Sequence, residues 1–179
     1  MKTTGIVRRI DNLGRIVIPK EMRKSLRIIE NDILEISLEN EAILLRKVST
    51  FADSMNYFDD LLKFINKLYG FDIFIADSSI IYSYAGQNRE NFIGKNISEY
   101  ILNCIKNRNI IDERNNATLQ IIDENTEQFL NCNYLLVPII NSGDVYGILG
   151  IINYKNTDNI VKIGKIIAKI IELRVSNFW

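Results

Sequence analysis

The side chains with the most chemistry to offer in this chain are cations crowded near its start. Residues 1–27 hold Lys2, Arg8, Arg9, Arg15, Lys20, Arg23, Lys24 and Arg27 against two acids, Asp11 and Glu21, a local charge of +6. Such a segment offers an electrostatic footprint to a polyanion. Arginine adds a planar fork that matches a phosphate or a guanine edge. The competing reading is a solvated basic surface with no partner, and charge alone does not separate the two. The remainder offsets the excess: residues 28–47 carry −3 and residues 48–179 carry −3, so the 179-residue chain is formally neutral.

Other chemistries are thinly supplied. Histidine is absent, which removes every mechanism built on an imidazole base or imidazole metal ligand. Two cysteines, Cys104 and Cys132, build neither a disulfide framework nor a four-thiolate zinc site. Cys104 sits among Ile101, Leu102 and Ile105 and is expected to be buried; Cys132 is expected to be partly exposed, which leaves a redox sensor open. The acid pairs Asp59-Asp60, Asp112-Glu113 and Asp123-Glu124 read as solvated surface, because sequence neighbours rarely converge on one substrate. Tyr82, Tyr84, Phe92, Tyr134 and Tyr146 can line a ligand pocket or fill a core, and core is preferred. No metal site, catalytic residue or cofactor is expected. No apolar run approaches a membrane span and no signal peptide is visible, so a cytoplasmic protein is expected.

The elements that position the cations are short. Residues 4–10 and 15–18 read as β-branched strands around the turn Asp11-Asn12-Leu13-Gly14. Pro19 stands where a helix begins, and Met22 and Leu26 share one face of it with basic residues on the others. Residues 33–38 alternate and residues 42–47 return, giving a ββαββ unit in about 47 residues. So short a unit cannot bury a sufficient core alone, so an obligate dimer with strands from both chains is expected. From residue 52 the pattern changes. An amphipathic helix ends at Gly70, strands follow at 71–76 and 80–84, and a helix spans 96–107, capped by Asn96 or Ser98. Strands at 117–122, 129–140 and 145–153, the last two joined by the turn Asn141–Asp144, precede a helix over 157–176. That helix is apolar on more than one face, which suits packing on its own sheet and on a second subunit.

Thr4-Gly5-Ile6-Val7-Arg8-Arg9-Ile10-Asp11, Leu13-Gly14-Arg15-Ile16-Val17-Ile18-Pro19 and Glu21-Met22-Arg23-Lys24, continuing through Asp32 and Leu34-Glu35-Ile36, resemble the AbrB-type swapped-hairpin DNA-binding domain. The resemblance covers about residues 2–47. It implies an intertwined β-barrel dimer whose arginines touch DNA, with Arg8, Arg15 and Arg23 as the leading contacts and Arg9, Lys24 and Lys2 beside them. Lys24 stands where the family usually has Arg, which keeps the charge and loses the fork. Leu135–Ile140, then Gly143 and Val145-Tyr146-Gly147-Ile148-Leu149-Gly150, are similar to the final hairpin of GAF domains. The two together resemble the stage V sporulation protein T family of developing-spore regulators.

The resulting expectation is an α+β protein. A swapped-hairpin head over 1–48 is followed by a linker at 49–54 and a GAF-like antiparallel sheet with flanking helices at 55–179. Its partner is double-stranded, AT-rich promoter DNA. It assembles as a homodimer through the head and a homotetramer through GAF-region helices, associates with the nucleoid, touches no membrane, and takes an unidentified small-molecule ligand if any. The alternatives are an antitoxin of the swapped-hairpin class and a transition-state type regulator not tied to sporulation.

Overall fold

The structure is a computed structural model that describes residues 5–30, 32–49, 51–123, 129–155 and 158–176. Lys2, Glu124 and the start of the expected last helix lie outside them. The architecture is mixed α+β with antiparallel sheets. A short helix α1 (Lys20–Ser25) precedes a hairpin of β1 (Leu34–Glu39) and β2 (Ala42–Lys47). Asn40 and Glu41 close it with φ of 44° and 64°, the left-handed pair that matches strand twist in a two-residue loop.

Residues 5–18 depart from the expectation. They form no strand, although the turn is present: Asp11 N donates to Arg15 O at 3.0 Å and Gly14 N to Asp11 O at 3.1 Å. A strand needs a neighbouring ladder, and the single chain supplies none there. Val7 is 90% exposed and Leu38 82%. For the same reason Met22 and Leu26 of α1 lie exposed where an apolar inner face was expected.

The second region is a five-stranded sheet in the order β4-β3-β7-β6-β5, antiparallel throughout. Its strands are β3 (Asp72–Ala76), β4 (Ile81–Ala85), β5 (Ile111–Gln120), β6 (Phe129–Asn141) and β7 (Asp144–Ile152). Helices α2 (Met55–Tyr69) and α4 (Ile160–Ser176) cover one face; α3 (Glu99–Asn107) covers the other. Both faces are therefore buried, which explains near-continuous apolar strands with strict alternation underneath. In β6, Leu135, Val137 and Ile139 face α2 and α4, while Cys132, Tyr134 and Leu136 face α3.

Local chemistry sets the ends. Gly70 stops α2 at φ 74°. Ser98 caps α3, its Oγ accepting from Ile101 N at 3.2 Å. On β7, a Cβ at Gly147 would lie 2.1 Å from Ala76 O and 2.8 Å from the Phe51 ring. Phe51 itself is fully buried and meets Phe58 edge-on at 5.8 Å between centroids.

Two expectations are corrected here and a third holds. The strand expected at 117–122 runs from Ile111 to Gln120, and Ile121 and Ile122 leave it to meet the lead of α3 through an Ile97–Ile122 bridge. Cys132 is buried, not partly exposed. Burial pushes its thiol above the ordinary value, as it does for Cys104, which works against the thiolate a redox sensor uses. The aromatic group is core: Tyr84 stacks on Phe92 at 4.5 Å, Tyr134 is buried with them, and Tyr82 and Tyr146 pack partly buried on the opposite face.

Candidate nucleic-acid interface

Asp11 organises the tip that carries Arg15. One carboxylate oxygen accepts from Leu13 N at 3.0 Å and Arg15 N at 2.9 Å; the other accepts from Arg15 Nε at 2.7 Å. The Arg15 backbone bond, then its side chain, hold the Asp11 carboxyl below its usual range. The fork is thus aimed by its own loop while 71% of the Arg15 side chain stays exposed. Sequence reasoning missed this role of Asp11, although its spacing of four from Arg15 was the available signal.

The other expected contacts are exposed too. Arg8 and Arg9 lie on the segment entering that turn; Arg23 and Lys24 lie in the last turn of α1. Among the described residues none of these four joins a carboxylate. Pro19, buried at φ −56°, starts α1 without needing an N–H. Arg23 and Lys24 share one cleft with Lys20, and nothing draws Arg8 or Arg9 into it.

The remaining cations of this half are spent internally. Arg27 donates to Ile97 O at 2.6 Å and pairs with Asp123 at 2.5 Å. Lys47 pairs with Asp32 at 2.9 Å, donates to Arg27 O and Ser79 Oγ at 3.1 Å, and bonds Ser78 Oγ. Arg46 approaches Glu35 at 3.9 Å. The basic excess therefore separates into cations that bind the chain to itself and cations left for a partner. The acid pairs also divide: Asp59 binds Arg89, Asp112 binds Arg114 and Tyr154, and Asp123 binds Arg27, while Asp60 and Glu113 face solvent.

What this surface can do is attract and orient a polyanion, since unpaired arginines and lysines give charge-assisted contacts without a buried site. Among the described residues no cluster of His, Cys, Asp and Glu is arranged to hold a metal ion, and no helix is long and apolar enough to cross a membrane.

Comparison with known proteins agrees with both regions. Two solved structures share the fold of the second: a type II free methionine-R-sulfoxide reductase from Thermoplasma acidophilum and the cofactor-binding GAF domain of the nutrient sensor CodY from Clostridium difficile. The first has a TM-score of 0.52 at 10% identity over 73% of this chain and 98% of that one; the second, 0.51 at 16% over 66% and 83%. Residues 7–53 match the family described as antidote-toxin recognition MazE, bacterial antitoxin. The transition state regulatory protein AbrB of Bacillus subtilis (strain 168) is 57% identical over 47 residues, 26% of this chain and 49% of that protein. Stage V sporulation protein T of the same organism is 32% identical over 158 residues, 88% of each chain. Residues 49–174 match the family described as stage V sporulation protein T C-terminal, transcription factor, and the chain belongs to that family of transcription factors with a GAF-like body.

Proposed function

We propose that residues 1–48 are a DNA-reading head that works only as an intertwined dimer, that 49–54 connect it, and that 55–179 form the body that pairs heads and regulates sporulation genes. The observation that carries this is the coincidence of unpaired cations with unburied apolar surface. Val7, Val17, Ile36 and Leu38 are all at least 71% exposed. A second copy threading its strands between these covers them and brings two sets of Arg8, Arg9, Arg15, Arg23 and Lys24 onto one surface. Lys2 joins them from outside the described residues.

Docking of that surface is mainly electrostatic, with arginine forks reading guanine edges and DNA shape supplying the rest. AT-rich promoter duplex is the expected partner and the nucleoid the expected place. A tetramer follows from the outer faces of α2 and α4, where Phe64, Leu68, Ile166 and Leu173 are more than half exposed. The chain acts as a regulator rather than an enzyme, and its likeness to a sulfoxide reductase is one of fold. The antitoxin reading draws on residues 7–53 alone and leaves the body without a task.

The test is duplex affinity against salt for the full chain and for Arg15→Ala. A steep dependence, with affinity lost in the variant, supports the head as the DNA surface. Weak binding that ignores both salt and the substitution overturns it.

A further inference from the structure

The cleft between head and body is built from two unlike halves. Its charged side is Lys20, Arg23 and Lys24 from α1 and Lys106 from the last turn of α3, none of which pairs with a carboxylate among the described residues. Its apolar side is Ile28 and Ile29, half-buried, against the buried Leu102 of α3. The volume is about 710 Å³, and a neighbouring hollow of about 370 Å³ shares Arg23, Ile28, Ile29 and Lys106 and runs on to Arg108. Two acids lie on the cleft, Glu99 and Asp123, and Asp123 is already neutralised by Arg27.

From this we infer an effector site for a small organic polyanion, with a phosphate-type charged end and an apolar or flat body. The argument is charge and shape together. Four cations from two separate helices converge on one opening, and their mutual repulsion costs free energy that an anion between them removes. The Ile28, Ile29 and Leu102 wall then selects against inorganic anions, because it rewards only a ligand with surface to bury. The volume admits a ligand of nucleotide size and excludes a nucleic-acid duplex, which is far wider.

The consequence rests on the DNA-reading function proposed above. Arg23 and Lys24 belong to both surfaces, so a polyanion in the cleft withdraws them from DNA. The two ligands then compete, and by linkage each weakens the other equally. The effector is thus a negative one, acting through charge shared between sites rather than through the sheet.

Lys106 makes the inference testable, because it lies on the body and outside the DNA contacts. The probe is the fluorescent N-methylanthraniloyl derivative of ATP, followed by anisotropy on the full chain, with the same derivative of adenosine and inorganic triphosphate as partial ligands. Expected are saturable binding of the nucleotide, at least about tenfold weaker binding of each partial ligand, and about tenfold loss in Lys106→Glu, with Lys106→Ala between. Lys106→Ala, which adds no anion beside Arg23 and Lys24, keeps wild-type DNA affinity in the absence of probe, and melting curves establish that both variants fold. No binding by millimolar probe overturns the site, as does binding indifferent to Lys106→Glu, the result expected if a partner head fills the cleft. The probe readout needs no DNA, so a failed DNA assay with intact probe binding faults the function, not the site.

Discussion

Arg27 holds Ile97 across 70 positions of sequence: its Nη1 donates to the Ile97 carbonyl at 2.6 Å while Nη2 meets Asp123. Ile97 is fully buried and directly precedes Ser98, the cap of α3, so one head side chain touches the start of the helix beneath the sheet. Arg27 also sits at φ 52°, a left-handed conformation that costs a non-glycine residue about 1 kcal/mol. Replacing it with alanine removes the bonds and keeps the backbone cost; the expected loss is about 1–2 kcal/mol, with the Asp123 share small because that carboxylate is exposed. Arg27→Gly removes the same bonds and relieves the backbone, so it melts higher than Arg27→Ala. Equal melting of the two variants and wild type contradicts the latch.

Lys47 is a tighter fastening. Its side chain is 16% exposed and its Asp32 partner 12%. Lys47→Met leaves the largely buried Asp32 carboxylate without its cation and is expected to cost about 2 kcal/mol, read as a lowered denaturant midpoint at unchanged slope. The double change Lys47→Met with Asp32→Asn recovers part of that loss.

Acid stability has an identifiable contributor in Asp112. Burial raises its carboxyl, but hydrogen bonds from Arg114 and Tyr154 outweigh it and hold the group below the usual carboxylate range. A carboxyl depressed in the folded state stabilises above its unfolded pKa, and that contribution fades as pH falls through the folded value. Asp112→Asn therefore lowers stability at pH 7 and narrows its gap to wild type below about pH 4. Urea melts across pH 2–7 measure it; a gap constant with pH assigns the effect to packing.

Pairing through α2 and α4 predicts a change in mass without a change in fold. Phe64 and Ile170 are 64% and 36% exposed on those helices. Phe64→Glu with Ile170→Glu puts charge on the apolar face. Light scattering is expected to show half the wild-type assembly mass at unaltered circular dichroism. An unchanged mass removes the helices from the interface.

Asp11 offers a test in which charge and geometry pull apart. Asp11→Ala raises the net positive charge of the head yet releases the Arg15 fork from its loop. Weaker DNA affinity with an undiminished salt dependence is expected, whereas Arg15→Ala lowers the salt slope by about one. Stronger binding by Asp11→Ala would show that charge count alone governs the head.

Much of the body was legible because both faces of its sheet are covered and its helices carry long apolar stripes. The start of β5 was not: Asp112-Glu113-Arg114-Asn115-Asn116 offers no apolar rhythm, and a register shift between Glu113 and Ala117, with Asn116 at φ 52°, breaks the alternation. Cys132 was legible and misread, since its period of two with Tyr134 and Leu136 places it inward. Arg8 to Lys24 could be named as cations, but which of them remain unpaired depends on contacts such as Arg27–Ile97 that no local pattern encodes. The strands expected within 5–18 lie at the opposite limit, since the single chain offers them no neighbour to pair with.

Phe51 has its ring inside the body core beside Gly147, and Lys47 is bonded to Ser78 and Ser79 of that same body. Three positions separate these anchors, at most about 14 Å of chain between one Cα and the other. Such a connection has no slack to let the head swivel. Under the proposed pairing of bodies, the heads meet a duplex at a set helical phase, so operator halves moved by five base pairs are expected to present the wrong side of the groove, and a full turn to restore the match.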